Sequence, residues 1–273
     1  MLQQEVKNLI ENRLKDKGIS QNELSKTIDV SNATLSKILN GKFDSINESM
    51  FLTIKNKLKP TGYQLVKTRN YNEIFDICDK TREHKLFTAI IGFEGLGKTS
   101  TLESYYNQKS NTFMITLDKG MNPKQIFSEL AKTIGITPQG SVYEIKRNII
   151  SELNKINNPL VIVDEISKTT LVNLTHFQDL WDGIQHNAGL IISGAPHFFE
   201  KFKQTAVNRK IGMPELYSRI AYSHYLKKPT KKEIQAICEV NGVTDIETLN
   251  EVRNIFNFRL LNSFIRNKQI QLI

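Results

Sequence analysis

The chain contains very little cysteine and no long apolar run. Its 273 residues include only Cys78 and Cys238, which form no CxxC or Cys/His cluster, so neither a disulfide framework nor a zinc site is expected. We expect both to be buried free thiols. No window approaches the roughly 20 apolar residues that cross a bilayer, and the first residues are too charged for a signal peptide. We therefore predict a cytoplasmic protein that makes no membrane contact.

The sequence also lacks internal repeats and low-complexity tracts, and its length exceeds the usual size of one domain. Acidic residues are outnumbered, with 28 against 37 basic residues and a net charge of +9, a balance that permits binding to nucleic acid. The excess concentrates between residues 201 and 233, where nine basic residues stand against two acidic ones. This stretch either binds the phosphate backbone of nucleic acid or is an ordinary solvent-exposed face.

The hydrophobic pattern divides the chain into four parts. Residues 1–62 have the spacing of short amphipathic helices and no strand pattern, and the breakers near Pro60 make 63–70 the expected linker. Residues 71–228 alternate between apolar runs and helical patterns, which predicts an α/β fold with a parallel sheet. Residues 229–273 are helical only and predict a small helical lid subdomain.

The expected elements follow from these runs and from the residues that flank them. Strands are expected at 86–91, 113–117, 160–163, 190–192 and 221–226. Helices are expected at 99–107, 123–134, 142–156, 170–187, 230–241 and within 246–270, and Thr230 is the expected cap of the helix that runs to about Asn241.

A phosphate-binding loop follows the first expected strand. Residues 92–99 have the sequence GFEGLGKT, which fits G-x-x-x-x-G-K-[ST] and precedes an expected helix, as this loop requires. Backbone N–H groups can cradle phosphate oxygens, Lys98 can reach the β and γ phosphates, and Thr99 can ligate magnesium. The expected nucleotide-binding residues of the loop are Gly92, Glu94, Gly95, Leu96, Gly97, Lys98, Thr99 and Ser100.

A later apolar run ends in two carboxylates, Asp164 and Glu165, which is the Walker B pattern. Asp164 would hold magnesium through water, and Glu165 would orient and activate the attacking water. The chain has no N-K-x-D element in a suitable place, the element typical of guanine nucleotides, so adenine is favoured. The sequence therefore predicts an ATPase with ATP and Mg2+ as cofactors.

From Tyr71 onward these residues resemble the AAA+ ATPases. The resemblance implies that Ser193, after the fourth strand, is a polar sensor of the γ-phosphate, and that Arg259 is the sensor 2 arginine acting in cis. It also implies an arginine finger that enters a neighbouring subunit's site, with Arg219 in ELYSRI as the first choice and Arg209 as the alternative. A finger in trans implies an oligomer. The alternative is that Ser193 is an ordinary turn serine and that these arginines are ordinary surface residues.

Residues 18–41 resemble a repressor-like helix-turn-helix. Ser20 and Ser31 stand as N-caps, and Glu23 completes a capping box with Ser20. The expected core is Leu24, Ile28, Val30, Leu35, Ile38 and Leu39. The expected DNA contacts are Asn32, Ala33, Thr34, Ser36 and Lys37 in the major groove, with Asn40 and Lys42 at phosphates. The alternative is that this helix-turn-helix contacts other proteins and does not bind DNA.

The order of these modules resembles the phage Mu B and TnsC-like family of transposition proteins. That resemblance implies ATP-dependent, mainly non-sequence-specific binding to duplex DNA, self-association into a ring or helical filament, target selection, and recruitment of a transposase. Two alternatives remain at this point. One is a nucleotide-gated transcription regulator, and the other is a replication or helicase-loader type AAA+ protein.

Overall fold

A computed structural model of the chain shows two compact units, Met1–Gln64 and Leu65–Ile273, each with its own apolar core. The residues that it describes are 2–17, 20–28, 30–58, 66–243, 246–252 and 254–271. In that part of the chain, no helix is long and apolar enough to cross a membrane.

The described residues of the N-terminal unit form four helices: α1 (Leu2–Lys17), α2 (Gln21–Ile28), α3 (Asn32–Leu39) and α4 (Glu48–Leu58). The expected caps are confirmed, because the Ser31 hydroxyl accepts the Thr34 amide and the Glu23 carboxylate accepts the amide and hydroxyl of Ser20. The expected core is confirmed as well, with Leu39 only partly buried, and it is completed by Val6, Ile10, Phe51, Ile54 and Leu58.

The second unit contains a five-stranded, entirely parallel sheet in the order β2-β3-β4-β1-β5. The strands are β1 (Phe87–Ile91), β2 (Thr112–Thr116), β3 (Leu160–Asp164), β4 (Gly189–Gly194) and β5 (Tyr222–Tyr225). The predicted α/β parallel sheet is confirmed, and each expected run of strand length forms a strand. Residues of the central strands are buried on both faces, as the continuous apolar runs predicted.

Helices cover the sheet on both faces and complete two apolar layers. They are α5 (Arg69–Glu83), α6 (Lys98–Gln108), α7 (Pro123–Ile134), α8 (Val142–Leu153), α9 (Leu171–Leu174), α10 (His176–Ile184), α11 (Pro196–Val207) and α12 (Met213–Arg219). Both cysteines are buried and free, as expected.

The structure differs from the expectation at two places. The helix expected at 170–187 is two helices, because the Thr175 hydroxyl donates to the Val172 carbonyl at 2.7 Å and competes with the backbone of the next turn. The expected linker 63–70 overlaps α5, since Thr68 caps that helix by accepting the Tyr71 amide at 3.2 Å. Residues 63–65 of that linker lie outside the described residues.

The C-terminal segment is helical, with α13 (Lys231–Val240), α14 (Ile246–Val252) and α15 (Phe258–Gln271). Thr230 caps α13 as expected, and Glu233 completes the capping box. Asn257 caps α15 through its Oδ1, which accepts the amides of Arg259 and Leu260. The segment folds back onto the phosphate-binding loop, because the amide of Phe258 donates to the carbonyl of Gly95 at 2.7 Å.

Candidate nucleotide site and DNA-binding helix

The loop between β1 and α6 has the backbone that a phosphate cradle needs. Gly95 and Gly97 have φ of +74° and +86°, the left-handed region that favours glycine, and Gly97 is the N-cap of α6. The positive end of a helix therefore points toward the loop. This arrangement suits a polyphosphate, and it places Lys98 at the first position of the helix.

The Lys98 ammonium is buried and lies inside the loop, where it donates to the carbonyls of Gly92 at 2.7 Å and Phe93 at 3.0 Å. Burial lowers the Lys98 pKa, and the nearby carboxylates of Asp164, Glu165 and Glu94 act in the opposite direction. Three of the acidic residues named from the sequence thus lie close enough to Lys98 to act on its charge.

Thr99 and Asp164 meet at the carboxyl end of the sheet. The Thr99 hydroxyl donates to Oδ2 of Asp164 at 2.6 Å, although 65 positions separate the two residues. Within the described residues, Oδ1 of Asp164 and the hydroxyl of Ser193 are buried polar atoms without a hydrogen-bond partner. Such atoms are rare in proteins and mark a place where another polar group fits. Ser193 lies on β4, the strand between β3 and β1.

Glu165 follows Asp164 with a φ of +57°, which is uncommon for a residue other than glycine. Strained backbone of this kind persists where the surrounding structure fixes it, and it clusters at functional sites. Its carboxylate is among those that act on Lys98. The structure thus brings Lys98, Thr99, Asp164 and Glu165 together, as the sequence predicted for a nucleotide site.

No group of three or more His, Cys, Asp or Glu side chains that could hold a metal by themselves occurs among the described residues. Magnesium does not need one, because it commonly binds through one or two protein oxygens, water and substrate phosphates. The Thr99 hydroxyl and the Asp164 carboxylate, with its unpaired Oδ1, match that donor set.

The start of α15 covers the loop through Asn257, a residue to which the sequence analysis gave no role. Nδ2 of Asn257 donates to the Glu94 carbonyl at 3.0 Å, and a Cβ on Gly95 would lie 1.9 Å from Oδ1 of Asn257. Arg259 lies two residues further on, is exposed, and contributes to lowering the Lys98 pKa. The expected sensor 2 arginine is thus on the same side of the protein as the phosphate-binding loop.

Asn70 is a second residue that sequence reasoning missed. It is buried, and its Nδ2 donates to the carbonyls of Lys227 at 2.8 Å and Leu96 at 3.3 Å, while its Oδ1 accepts the Lys227 amide. It joins α5 to the phosphate-binding loop and to the segment that leads into the lid. No local pattern marks it, because its partners are 26 and 157 positions away.

Each of the three guanidinium nitrogens of Arg219 donates a hydrogen bond within its own chain. Its Nε and Nη2 donate to the two oxygens of Asp182 at 2.6 and 2.9 Å, and its Nη1 donates to the Glu215 carbonyl at 2.6 Å. The hydrogen bond to Asp182 raises the Arg219 pKa. Arg209, the alternative finger, is exposed in the turn between α11 and α12 and has φ of +52°. The assignment of the finger stays a prediction.

The expected DNA-binding residues of α3 are surface residues. Asn32, Ala33, Lys37, Asn40 and Lys42 are exposed, and Thr34 and Ser36 are half-buried. Two contacts were missed: Gln21 and Asn22 of α2 hydrogen bond to the Asn32 side chain and so fix its orientation. Lys37 and Lys42 form no ion pair within the described residues, so both cations can meet phosphate.

A family model for the AAA domain matches residues 81–202, and a helix-turn-helix model matches residues 10–52. The chain therefore contains an AAA domain and an N-terminal helix-turn-helix, and it is an ATPase. The first matched region contains both nucleotide motifs, and the second contains α2 and α3. The prediction of an ATP-binding enzyme of this type is confirmed.

Named relatives of this AAA+ protein match over most of their length. The ATP-dependent target DNA activator B of Escherichia phage Mu is 22% identical over 250 residues, which cover 87% of this chain and 79% of the phage protein. The Mu-like prophage FluMu DNA transposition protein B of Haemophilus influenzae is 21% identical over 259 residues, covering 91% of this chain and 89% of that protein. The predicted resemblance to the Mu B type is confirmed.

Among solved structures, the Walker-type ATPase of Pyrococcus abyssi is similar with a TM-score of 0.54 and 18% identity. The match covers 74% of this chain and 68% of the Pyrococcus chain. A likeness at this identity supports the fold and no more.

Proposed function

We propose that this AAA+ ATPase binds duplex DNA in its ATP state, self-associates on it, selects a transposition target and recruits a transposase. One observation carries the proposal: an AAA domain with a phosphate-binding loop and a helix-turn-helix occur in one chain whose relatives are named target DNA activator B and DNA transposition protein B.

The side chains around the loop bind different parts of the nucleotide and its metal ion. Lys98 gives up its bonds to the Gly92 and Phe93 carbonyls to bind β and γ phosphate oxygens, and Thr99 and Asp164 hold Mg2+. A magnesium ion held by Thr99 and Asp164 would supply positive charge to neutralise the charge that develops on the phosphates. Replacing carbonyl partners by phosphate oxygens strengthens the bonds of Lys98, because both partners are then charged.

Three further groups act on the attacking water and the γ-phosphate. Glu165 accepts a proton from the water, in keeping with its position beside Asp164 at the end of β3. Ser193 offers its unpaired hydroxyl, and Arg259 offers a guanidinium from the lid. Because Asn257 and Phe258 tie the lid to the loop, binding of ATP and movement of α15 are coupled.

DNA binding involves both units. Lys37 and Lys42 of the helix-turn-helix contact phosphate, and Ala33 lies against base edges in the major groove. The net charge of +9 supports a sequence-independent electrostatic component, which is why we propose mainly non-sequence-specific binding. Self-association then places many such units along one duplex.

A nucleotide-gated transcription regulator is the second candidate, and the exposed face of α3 favours it. The two functions predict different footprints. We expect DNase protection of two unrelated duplexes to be uniform with ATP and to be lost with ADP. Protection confined to one operator sequence, with either nucleotide, would contradict the transposition proposal and support the regulator.

The transposase is tested separately. A transposase partner should raise the steady-state rate of ATP hydrolysis and shorten the lifetime of the DNA complex. The cognate transposase, titrated against the protein on duplex DNA, should therefore give a saturable increase in phosphate release. No increase at any ratio would remove transposase recruitment from the proposal and leave the DNA-dependent ATPase in place.

A further inference from the structure

Ser167 lies in a single turn of 3-10 helix, Ile166–Lys168, that directly follows Glu165. Its hydroxyl accepts the backbone amide of Ala195 at 2.7 Å, although 28 positions separate the two residues. A serine hydroxyl in a turn commonly bonds instead to backbone groups a few positions away in its own segment. The turn that follows the proposed catalytic base is therefore tied to the end of β4.

The peptide group between Gly194 and Ala195 connects this turn to the phosphate-binding loop. Its carbonyl, on Gly194, accepts the Gly92 amide at 3.1 Å, and its N–H, on Ala195, donates to Ser167. The carbonyl and the N–H of a planar trans peptide point in opposite directions. One rigid group thus holds the first residue of the loop on one side and the turn after Glu165 on the other.

The turn approaches the end of β4 closely. A Cβ on Gly194 would lie 2.5 Å from Oγ of Ser167 and 2.9 Å from Cγ2 of Ile166, so a side chain at this position would push the turn away. Ser193, whose buried hydroxyl has no hydrogen-bond partner among the described residues, directly precedes Gly194. The contact therefore lies next to both groups, Ser193 and Glu165, that are proposed to act on the γ-phosphate and the attacking water.

The backbone of Glu165 is held on both sides. Before it, the Asp164 carbonyl accepts the Leu117 amide at 3.0 Å, which fixes the end of β3 to the segment after β2. After it, Ile166 is fully buried, and the Ser167 hydroxyl holds the turn to the end of β4. Glu165 itself has φ of +57°, a conformation that persists only where the surrounding structure fixes it.

We infer that Ser167 is a positioning residue for ATP hydrolysis. By accepting the Ala195 amide, its hydroxyl holds the turn at a fixed distance from the phosphate-binding loop, and so keeps the Glu165 carboxylate directed at the attacking water. Ser167 acts through Glu165 and is not itself a catalytic residue. The inference rests on the role of Glu165 as base in the proposed function, and it names a residue on which that role depends.

A purely structural role for the same hydrogen bond would have a different signature. Ala195 is the N-cap of α11, and its own side chain makes no capping hydrogen bond, so Ser167 would then serve only to satisfy a backbone amide at the start of that helix. In that case, loss of the hydroxyl lowers stability and leaves turnover unchanged. In the positioning role, turnover falls while ATP affinity stays the same, because the phosphate-binding groups keep their places.

Ser167→Ala tests the inference, because it removes only the hydroxyl. A misplacement of about 1 Å in a catalytic group can cost on the order of 100-fold in rate, so we expect kcat for ATP to fall roughly 10- to 100-fold. ATP affinity, measured on the full chain with a fluorescent analogue, should equal that of the parent. Ser167→Thr retains the hydroxyl and should restore most of the parental kcat.

Ser141→Ala is the matched control, because the Ser141 hydroxyl also accepts a backbone amide, that of Glu144, at the start of a helix. This variant should lower the melting temperature and leave kcat unchanged. Equal kcat values in Ser167→Ala and Ser141→Ala would overturn the inference, since the hydrogen bond of Ser167 would then be purely structural.

The Glu165→Gln background shows whether Ser167 acts through the base. In that background, Ser167→Ala should cause no further loss in single-turnover hydrolysis, because the group that Ser167 positions has already lost its function. The same fold loss in both backgrounds would show that Ser167 acts independently of Glu165, and would overturn the inference.

Gly194→Ala displaces the turn from the opposite side and retains the hydroxyl. Its added Cβ would lie within 2.5 Å of Oγ of Ser167, so kcat should fall as it does in Ser167→Ala. A parental kcat in this variant, with circular dichroism showing a folded protein, would overturn the inference, because displacement of the turn would then leave the base in working order.

The same assays separate failure of the inference from failure of the proposed function. If Ser167→Ala keeps the parental kcat while Glu165→Gln is slow, the inference is wrong, the base assignment stands, and burial of Ile166 is sufficient to hold the turn. If Glu165→Gln hydrolyses ATP at the parental rate, the base assignment in the proposed function is wrong, and the inference fails with it.

Discussion

Replacing Gly95 with alanine tests whether the lid closes on the phosphate-binding loop in the way the structure shows. Gly95 has φ of +74°, and a Cβ there would lie 1.9 Å from Oδ1 of Asn257. The Asn257 amide group must therefore move. That movement removes its bond to the Glu94 carbonyl and its bonds to the amides of Arg259 and Leu260.

The expected size follows from those three hydrogen bonds. Of the three, only the bond to Glu94 joins the lid to the loop, and at about 1 kcal/mol net its loss shifts the ratio of closed to open lid roughly 5-fold, which sets the largest fall expected in ATP affinity. The two cap bonds lie within α15, so their loss lowers stability. The left-handed backbone costs about 1 kcal/mol more in an alanine variant. That cost is the same in the free and bound protein, so it lowers stability and leaves affinity unchanged.

Gly120→Ala is the matched control, because Gly120 has φ of +92° and no atom lies within 4 Å of an added Cβ. Gly120→Ala should unfold about 2–4 °C below the parent, and Gly95→Ala should unfold at a lower temperature still, because it also loses hydrogen bonds of Asn257. Only Gly95→Ala should bind a fluorescent ATP analogue more weakly, and Gly95→Ala combined with Asn257→Ala should bind no more weakly than Asn257→Ala alone. Parental affinity in Gly95→Ala, with the same loss of stability as the control, would refute a lid contact in nucleotide binding.

Three other substitutions address the nucleotide site, the independence of the N-terminal unit and the cap at the start of α13. Lys98→Ala should abolish ATP binding and ATP-dependent assembly, and unchanged ATP affinity by calorimetry would remove Lys98 from the site. Leu35→Ala removes a fully buried side chain from the N-terminal core, so the free energy of unfolding of that unit, measured by denaturant titration, should fall by about 2–5 kcal/mol. The rate of ATP hydrolysis without DNA should not change. Burial raises the Glu233 pKa, but hydrogen bonds from Thr230 and Arg69 lower it by more, so the pKa in the folded protein is below its ordinary value of 4.5. The stability that Glu233 contributes is therefore present above pH 4.5 and is lost as the pH falls through that lower pKa. Glu233→Gln should therefore show a smaller drop in melting temperature between pH 7 and pH 4 than the parent, and an equal drop would show that Glu233 does not contribute to acid sensitivity.

The structure could be predicted from the sequence wherever residues close together in the chain determine it. The glycines of the phosphate-binding loop and the caps at Ser31 and Thr230 act through groups only a few positions away. Of the Walker B carboxylates, Asp164 contacts Thr99 across 65 positions, but the apolar run directly before the pair marks its place. Their patterns could therefore be recognised directly. The buried parallel strands were recognisable for the same reason, since burial on both faces requires an unbroken apolar run.

The missed contacts of the second unit join residues that are distant in the chain. Asn257 meets Glu94 across 163 positions, Asn70 meets Lys227 across 157, and Arg219 meets Asp182 across 37. No spacing rule predicts such pairs without an arrangement of the elements. The break at Thr175 was missed for a different reason, because a side-chain hydroxyl that competes with the helix backbone leaves the apolar periodicity unchanged.

The most direct test of the proposed function is the mass of the Glu165→Gln variant on DNA, measured by sedimentation with ATP and with ADP. Removing the proposed base blocks hydrolysis and leaves the phosphate-binding groups in place, so ATP should yield large complexes on any duplex that persist for many turnover times of the parent. ADP should yield none. Turnover of ATP at the parental rate, or complexes of equal mass with both nucleotides, would contradict ATP-controlled assembly on DNA.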